Sequence, residues 1–249
     1  MIRVAVSGAG GKLANPIISA VAASEDLELA ALYNPNREGV EMHGVTVTAS
    51  PDDIEADVMV ETAHPDVVFD NLGMWKEKGL ATVVGTSGFT PERLIELREM
   101  WGKESPCLVV PNFSVGAVLM MRFAEMAAPH FAAAEVVEMH HDRKADAPSG
   151  TALATASRIG SVAPDQRRRV VSTETVRGAR GGVVADVPVH SIRLPGLVAH
   201  QAVLLGNDGE LLTIRHDTTD RASFMPGVLV AIRGVGAEPG VTVGIDHLV

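Results

Sequence analysis

The 249-residue chain has one cysteine, Cys107. A lone thiol cannot staple a chain to itself, which removes the disulfide-scaffold class. Its setting, "CLVV", reads as a buried structural thiol. The spacings Cys-x-x-Cys and His-x-x-x-His are missing as well, so no metal is expected. No apolar run approaches the ~20 residues that a membrane span needs. The opening "MIRVAVSGAGG" has one arginine and then glycines, a poor match to a secretory leader. Basic excess is missing too: 21 Lys and Arg stand against 31 Asp and Glu, a net charge of −10. That balance argues against general nucleic-acid binding, which wants a basic face. The expectations are a cytoplasmic protein with no membrane or nucleic-acid partner. Any cationic cluster in such a chain is local and points to a small anionic ligand.

What is present is a chain with 46% hydrophobic residues, long enough for two modest domains. In the first half, short apolar runs ("IRVAVS", "LELAALY", "DVMVET", "ATVVG", "CLVVP") alternate with helix-length segments at 12–23, 66–78 and 91–103. Strands alternating with helices imply right-handed crossovers and a doubly wound parallel sheet. Past Pro111 the pattern changes. A long apolar helix over 114–131 leads into "AEVVEMHH". After a further helix come strands without intervening helices: "VPVHSIRL", "AHQAVLLG" and "ELLTIRHD", with "NDGE" as a hairpin signal. The expected fold is α/β: a Rossmann-type dinucleotide-binding domain over 1–113 and 220–249, and a second α+β domain with a mainly antiparallel sheet over 114–219.

"VAVSGAGGKLA" places Gly8, Gly10 and Gly11 where the first strand turns into the first helix. Glycine serves two purposes there: it permits a tight turn, and it lets the backbone approach a pyrophosphate bound by helix N-terminal amides. The spacing is G-x-x-G-x-x-A through Gly8, Gly11 and Ala14. A dinucleotide fold expects an acid at the end of the second strand to hold the ribose hydroxyls. Asn34 stands there instead, with Arg37 close behind, which leaves room for a 2′-phosphate. "VVGTSGF" (Gly85, Thr86, Ser87) and "VPNFSVG" (Asn112, Phe113) are further polar turns at strand ends, where open α/β sheets bind ligands.

"EMHHDRKADAPSGTA" delivers His140 and His141 from a strand and Lys144 from the following loop. Ser149-Gly150-Thr151 then opens a helix, where free amides and the helix dipole favour an anion. One reading is a carboxylate pocket in which His140 protonates an intermediate and Lys144 polarises or protonates another atom. The other is a solvated basic loop with Ser149 as an ordinary N-cap.

The same stretch resembles the signature E-x-H-H-x-x-K-x-D-A-P-S-G-T-A of the 4-hydroxy-tetrahydrodipicolinate (dihydrodipicolinate) reductase family of diaminopimelate and lysine biosynthesis. "GAGGKLA", "VVGTSGF", "PNFSVGAVLM", "VPVHSIRL" and "DRASFMPG" resemble its other marks, in order along the chain. The resemblance implies His140 as catalytic acid, Lys144 as second proton donor, and His141, Gly150 and Thr151 as substrate ligands. It implies a nicotinamide cofactor, NADPH or NADH, along Gly8, Ala9, Gly10, Gly11, Lys12, Leu13, Gly85, Thr86, Ser87, Val110, Pro111, Asn112 and Phe113, to which the reading of the second strand's end adds Asn34 and Arg37. It further implies a cyclic dicarboxylate substrate and a homotetramer. Three places depart from the family pattern: "GTSG" for "GTTG", "ETAHP" for "DFT-x-P" (so Ala63 lacks a hydroxyl), and Asn34 for the ribose acid.

Rival readings are another two-domain nicotinamide oxidoreductase, which would not need the His-His-x-x-Lys run, and a dinucleotide-sensing regulator, which should bring a basic DNA-binding module. His190, His200 and His216 read as structural or solvent-facing. Arg193 and Arg221 read as candidate partners for carboxylates or neighbouring chains. Met120, Met121, Phe123 and Met126 read as core, and Arg167–Arg169 as a solvated turn.

Overall fold

A computed structural model describes residues 1–162, 168 and 172–249. Arg167 and Arg169 lie outside the described residues. Arg168 is exposed and pairs with Asp208 at 2.8 Å. Contacts divide the chain into two compact units, Met1–Val115 with Phe224–Val249, and Gly116–Ser223.

The first unit contains β1 (Ile2–Ser7), α1 (Ala14–Ala22), β2 (Leu27–Tyr33), β3 (Glu41–Met42), β4 (Val45–Thr48), β5 (Val58–Glu61), α2 (Val68–Glu77), β6 (Ala81–Val84), α3 (Pro91–Trp101) and β7 (Pro106–Val109). The second contains most of α4 (Val115–Ala127), then β8 (Ala133–His140), α5 (Gly150–Val162), β9 (Gly182–Val184), β10 (Val187–Arg193), β11 (Ala199–Asn207) and β12 (Glu210–Thr218). The chain then adds α6 (Met225–Gly234) and β13 (Gly240–Val243) to the first unit.

The first sheet runs β13-β7-β6-β5-β1-β2-β4-β3. Every pair is parallel except β3 with β4, a small hairpin around Gly44 that periodicity did not show because each arm is so short. The central strands are buried on both faces, hence the unbroken apolar runs. Ala14, Ile17, Ile18 and Val21 form the buried stripe of α1 at helical spacing. Thr90 caps α3 by accepting Arg93 N–H, Pro91 opens the helix, and Gly102 at φ 77° ends it. Trp75 and Trp101 anchor the core beside Cys107, whose thiol is pushed up to about 12 by burial. The reading of Cys107 as buried holds.

The second sheet runs β12-β11-β8-β10-β9. It is antiparallel except for β8 and β10, which run parallel and place Arg193 in register with His140. One face packs on α5, where Ala152, Ala156 and Ile159 meet Val136, Val189 and Val203. "NDGE" makes the β11–β12 hairpin, with Gly209 at φ 82°. The long helix expected over 114–131 stops at Ala127 and passes into a 3₁₀ turn containing Pro129, which has no amide to continue the ladder. Met120 and Met121 are buried as expected. Phe123 and Met126 are not core: they lie 48% and 71% exposed on the opposite side of the same helix.

Candidate functional site

In the first unit, the β1–α1 turn is shaped by its glycines. Gly8 and Gly10 hold φ values of 84° and 85°, which L side chains rarely adopt. A Cβ on Gly11 would sit 2.9 Å from the Gly8 carbonyl oxygen, which already accepts Gly11 N–H. The amides of Gly8 and Ala9 donate to the carbonyl of Tyr33, tying the turn to β2. Asn34 closes the arrangement: its Nδ2 donates to the Ala9 carbonyl at 2.7 Å, and its Oδ1 accepts Asn36 N–H at 3.0 Å. Arg37 folds back so that a Cβ on Gly10 would lie 2.6 Å from its Cδ.

These residues border a cleft of about 520 Å³. Gly8, Gly10, Gly11, Asn34 and Arg37 line it, together with Tyr33, Thr62, Ala63, His64 and Asn71. Of the latter group only Ala63 drew notice in the sequence, because a polar residue at a strand end has no distinctive spacing. Ala9 is buried behind the turn, Lys12 is exposed, and Leu13 precedes α1. Leu13, Gly85 and Phe113 converge on one another: a Cβ on Gly85 would meet Phe113 Cε2 at 2.9 Å and Leu13 Cδ2 at 3.3 Å. Thr86 Oγ1 donates to the Ala63 carbonyl, Val110 N–H donates to the Val84 carbonyl, and Asn112 Oδ1 accepts Ser114 N–H. Ser87 and Pro111 are exposed. Residues 85–87 and 110–113 thus lie outside the lining of that cleft, with Gly85 packed on Phe113.

Beneath the turn lies Glu61, fully buried at the end of β5. Its carboxyl accepts from Trp75 Nε1 (2.7 Å), Ala63 N–H (2.7 Å) and Asn71 Nδ2 (3.2 Å). Burial pushes its pKa up, and these donors oppose that push. The turn's dimensions, with backbone amides at a helix start and no space for side chains, fit a dinucleotide pyrophosphate.

In the second unit, Glu138 and His140 alternate on β8 and so share a face. Glu138 is fully buried. Its Oε2 lies 2.6 Å from His140 Nδ1. Arg193 grips both oxygens, Nη1 at 2.9 Å and Nη2 at 2.8 Å, and Ser149 N–H donates to Oε1 at 3.2 Å. Burial pushes the Glu138 carboxyl up, but the hydrogen bonds from Arg193, Ser191 and His140 outweigh it and hold the pKa below the usual range. For His140 burial acts first and lowers its pKa. Glu138 opposes this, and Lys144 and Arg193 add to the lowering.

Lys144 reaches Asp146 at 2.7 Å, and Arg193 Nη2 donates to the Asp146 carbonyl at 2.7 Å, pinning the loop. Ser149 Oγ accepts Ala152 N–H and caps α5, which begins at Gly150 and has no acid in its first turn. His141 Nδ1 is buried without a hydrogen-bond partner among the described residues. The arrangement brings His140, Lys144 and the start of α5 together, with His141 next along the chain. The sequence named those residues. It left Arg193 as one of two arginines with no assigned partner and passed over Glu138, although the i, i+2 spacing to His140 was a usable signal. His190 and His200 serve ion pairs, with Glu135 at 2.8 Å and Asp217 at 2.7 Å.

Two family matches cover the chain: "Dihydrodipicolinate reductase, N-terminus" over residues 2–113 and "Dihydrodipicolinate reductase, C-terminus" over residues 116–249. The chain is 48% identical over 251 residues to the 4-hydroxy-tetrahydrodipicolinate reductase of Mycolicibacterium gilvum (strain PYR-GCK), covering 99% of this chain and 98% of that one. It is 50% identical over 255 residues to the enzyme of the same name from Nocardia farcinica (strain IFM 10152), covering 98% and 97%. Among solved structures, dipicolinate-bound dihydrodipicolinate reductase from Paenisporosarcina sp. TG-14 superposes with a TM-score of 0.87 at 38% identity, over 100% of both chains.

Proposed function

Since the chain belongs to the dihydrodipicolinate reductase family, and is thus an NADH- or NADPH-dependent reductase, we propose that it reduces 4-hydroxy-tetrahydrodipicolinate to tetrahydrodipicolinate in diaminopimelate and lysine biosynthesis, with His140 and Lys144 as its proton donors. The observation that carries this reading is the pairing of buried Glu138 with half-buried His140 beside Lys144 and the α5 N-terminus.

The net reaction adds a hydride and a proton and releases the 4-hydroxy group as water. A nicotinamide, when bound, supplies the hydride for C4. The turn of Gly8, Gly10 and Gly11 would let the pyrophosphate approach the backbone ahead of α1, with Arg37 at the adenosine end and Gly85 and Phe113 at the nicotinamide end. Reduction at C4 of a conjugated imine drives electron pairs toward the ring nitrogen, which must then be protonated. Glu138 accepts the Nδ1 proton of His140, so the labile proton of the imidazolium sits on Nε2. Without ligand, burial and the neighbouring cations favour the neutral ring. A dicarboxylate placed there would offset Lys144 and Arg193 and favour the charged, proton-donating form. Gly150 and Thr151, at the positive end of a 13-residue helix, would take one carboxylate. His141 would present its unpaired nitrogen to the substrate.

The same reading makes the protein a cytoplasmic homotetramer assembled through the second sheet's open face, where Val183, Ile192 and Leu211 stand exposed. The test is consumption of reduced nicotinamide when the purified protein receives 4-hydroxy-tetrahydrodipicolinate. Turnover with that substrate and none with aspartate or homoserine supports the reading; no turnover removes it.

A further inference from the structure

Three parts of the second-unit site converge on one carboxylate. Glu138 receives His140 Nδ1 from its own strand, both terminal nitrogens of Arg193 from β10, and the Ser149 amide from the turn that opens α5. Such a set of donors suits an ionised carboxylate, since a protonated one would present a hydrogen where a donor already points. Arg193 is the compensating cation, and it also holds the loop through the Asp146 carbonyl. A buried carboxylate with one full ion pair and further hydrogen bonds is a rigid anchor.

We infer that Glu138, kept ionised by Arg193, is the positioning residue of this site: it fixes His140 with hydrogen on Nδ1 and holds the α5 start at constant spacing from Nε2. The inference rests on the reading of His140 as proton donor and deepens it. The charged groups facing His140 are Glu138 on its own strand, Arg193 on β10 and Lys144 in the loop. β11 faces it with Ala199, and the first turn of α5 carries no charge. Glu138 is therefore the sole charge among these that favours the imidazolium. Removing it leaves only influences that favour the neutral ring, so the His140 titration must move to lower pH. A step that needs the imidazolium then fails at lower pH as well.

The experiment uses the full-length protein with NADPH bound, ¹⁵N-labelled at histidine, as wild type, Glu138→Gln and Glu138→Asp. Imidazole ¹⁵N shifts report tautomer and titration, and steady-state kinetics report kcat and KM across pH. Expected are an Nδ1–H tautomer in wild type, a lower His140 midpoint in Glu138→Gln, and a kcat loss on the order of tenfold to a hundredfold. The basic limb of the kcat profile should move down with the midpoint, KM for NADPH should hold, and Glu138→Asp should restore part of both. A purely structural role would lower stability and leave the limb in place. If Glu138→Gln does not fold, Glu138→Gln/Arg193→Met removes the uncompensated cation with the carboxylate, and loss of the Nδ1–H tautomer is the criterion. An Nε2–H tautomer in wild type, or an unmoved midpoint in Glu138→Gln, overturns the inference. A midpoint that moves while the kcat limb stays put supports the role of Glu138 and instead removes His140 as proton donor.

Discussion

Arg37 lies across Gly10: a Cβ there would come within 2.6 Å of Arg37 Cδ and 2.7 Å of its Nε. The guanidinium is exposed at the rim of the first-unit cleft, where the adenosine end of a nucleotide would lie. Arg37→Ala should weaken NADPH selectively, by about 1–3 kcal/mol for a lost charge-assisted contact, or roughly tenfold to a hundredfold. The check is kcat/KM for both cofactors; equal losses would remove the 2′-phosphate role.

Asn34 has a duty that its sequence position did not reveal. By strand-end pattern alone Asn34→Asp would favour NADH, since an acid there binds both ribose hydroxyls. In the fold, however, Asn34 Nδ2 donates to the Ala9 carbonyl, and a carboxylate there would face that oxygen instead. The expected result is a weakened turn, with affinity for NADH and NADPH falling together and stability lowered by ~1–3 kcal/mol. Nucleotide titration and thermal melts measure both; a clean switch to NADH would contradict this.

Lys144→Ala should preserve the fold, because the side chain bonds to the exposed Asp146. Turnover should fall on the order of 10²-fold or more while nucleotide binding holds. Near-normal turnover in a folded variant takes Lys144 out of the mechanism.

Glu61 gathers Trp75, Ala63 and Asn71 beneath the glycine turn. Glu61→Ala leaves these buried donors without an acceptor, a cost of about 1–3 kcal/mol for each unsatisfied group. For three such groups the Tm should drop by at least about 6 °C, at about 2–4 °C per kcal/mol, and nucleotide affinity should weaken because Ala63 and Asn71 line the cleft. An unchanged Tm would mean that the network contributes little.

Cys107 is 1% exposed and its thiol is pushed up to about 12. Its folded pKa exceeds the unfolded one, so the associated stability is complete below the unfolded pKa of about 8.5. It is lost progressively as pH rises from there through the folded value. Native protein at neutral pH should react with thiol reagents only as fast as it unfolds. Rapid stoichiometric labelling would show a local opening at β7.

Much was legible from the string because the relevant physics is local. The apolar runs became β1, β5, β6 and β7 because strands buried on both faces need continuous apolar sequence. Gly8 and Gly10 marked a turn that needs positive φ, and His140, Lys144 and Gly150 lie within one short segment. What escaped depended on partners far along the chain. Arg193 reaches Glu138 across 55 residues only because β10 runs parallel to β8 and in register with it, whereas the succession of strands suggested antiparallel neighbours. Asn34 meets Ala9 across 25 residues, and Phe123 faces outward on a helix whose apolar residues outnumber its buried positions. Local sequence determined the strands, the turns and the residue types of both candidate sites, because propensity and periodicity act over a few residues. Tertiary structure decided which charges meet and which amides are occupied, because those contacts follow from strand order and register, and a linear pattern does not encode either.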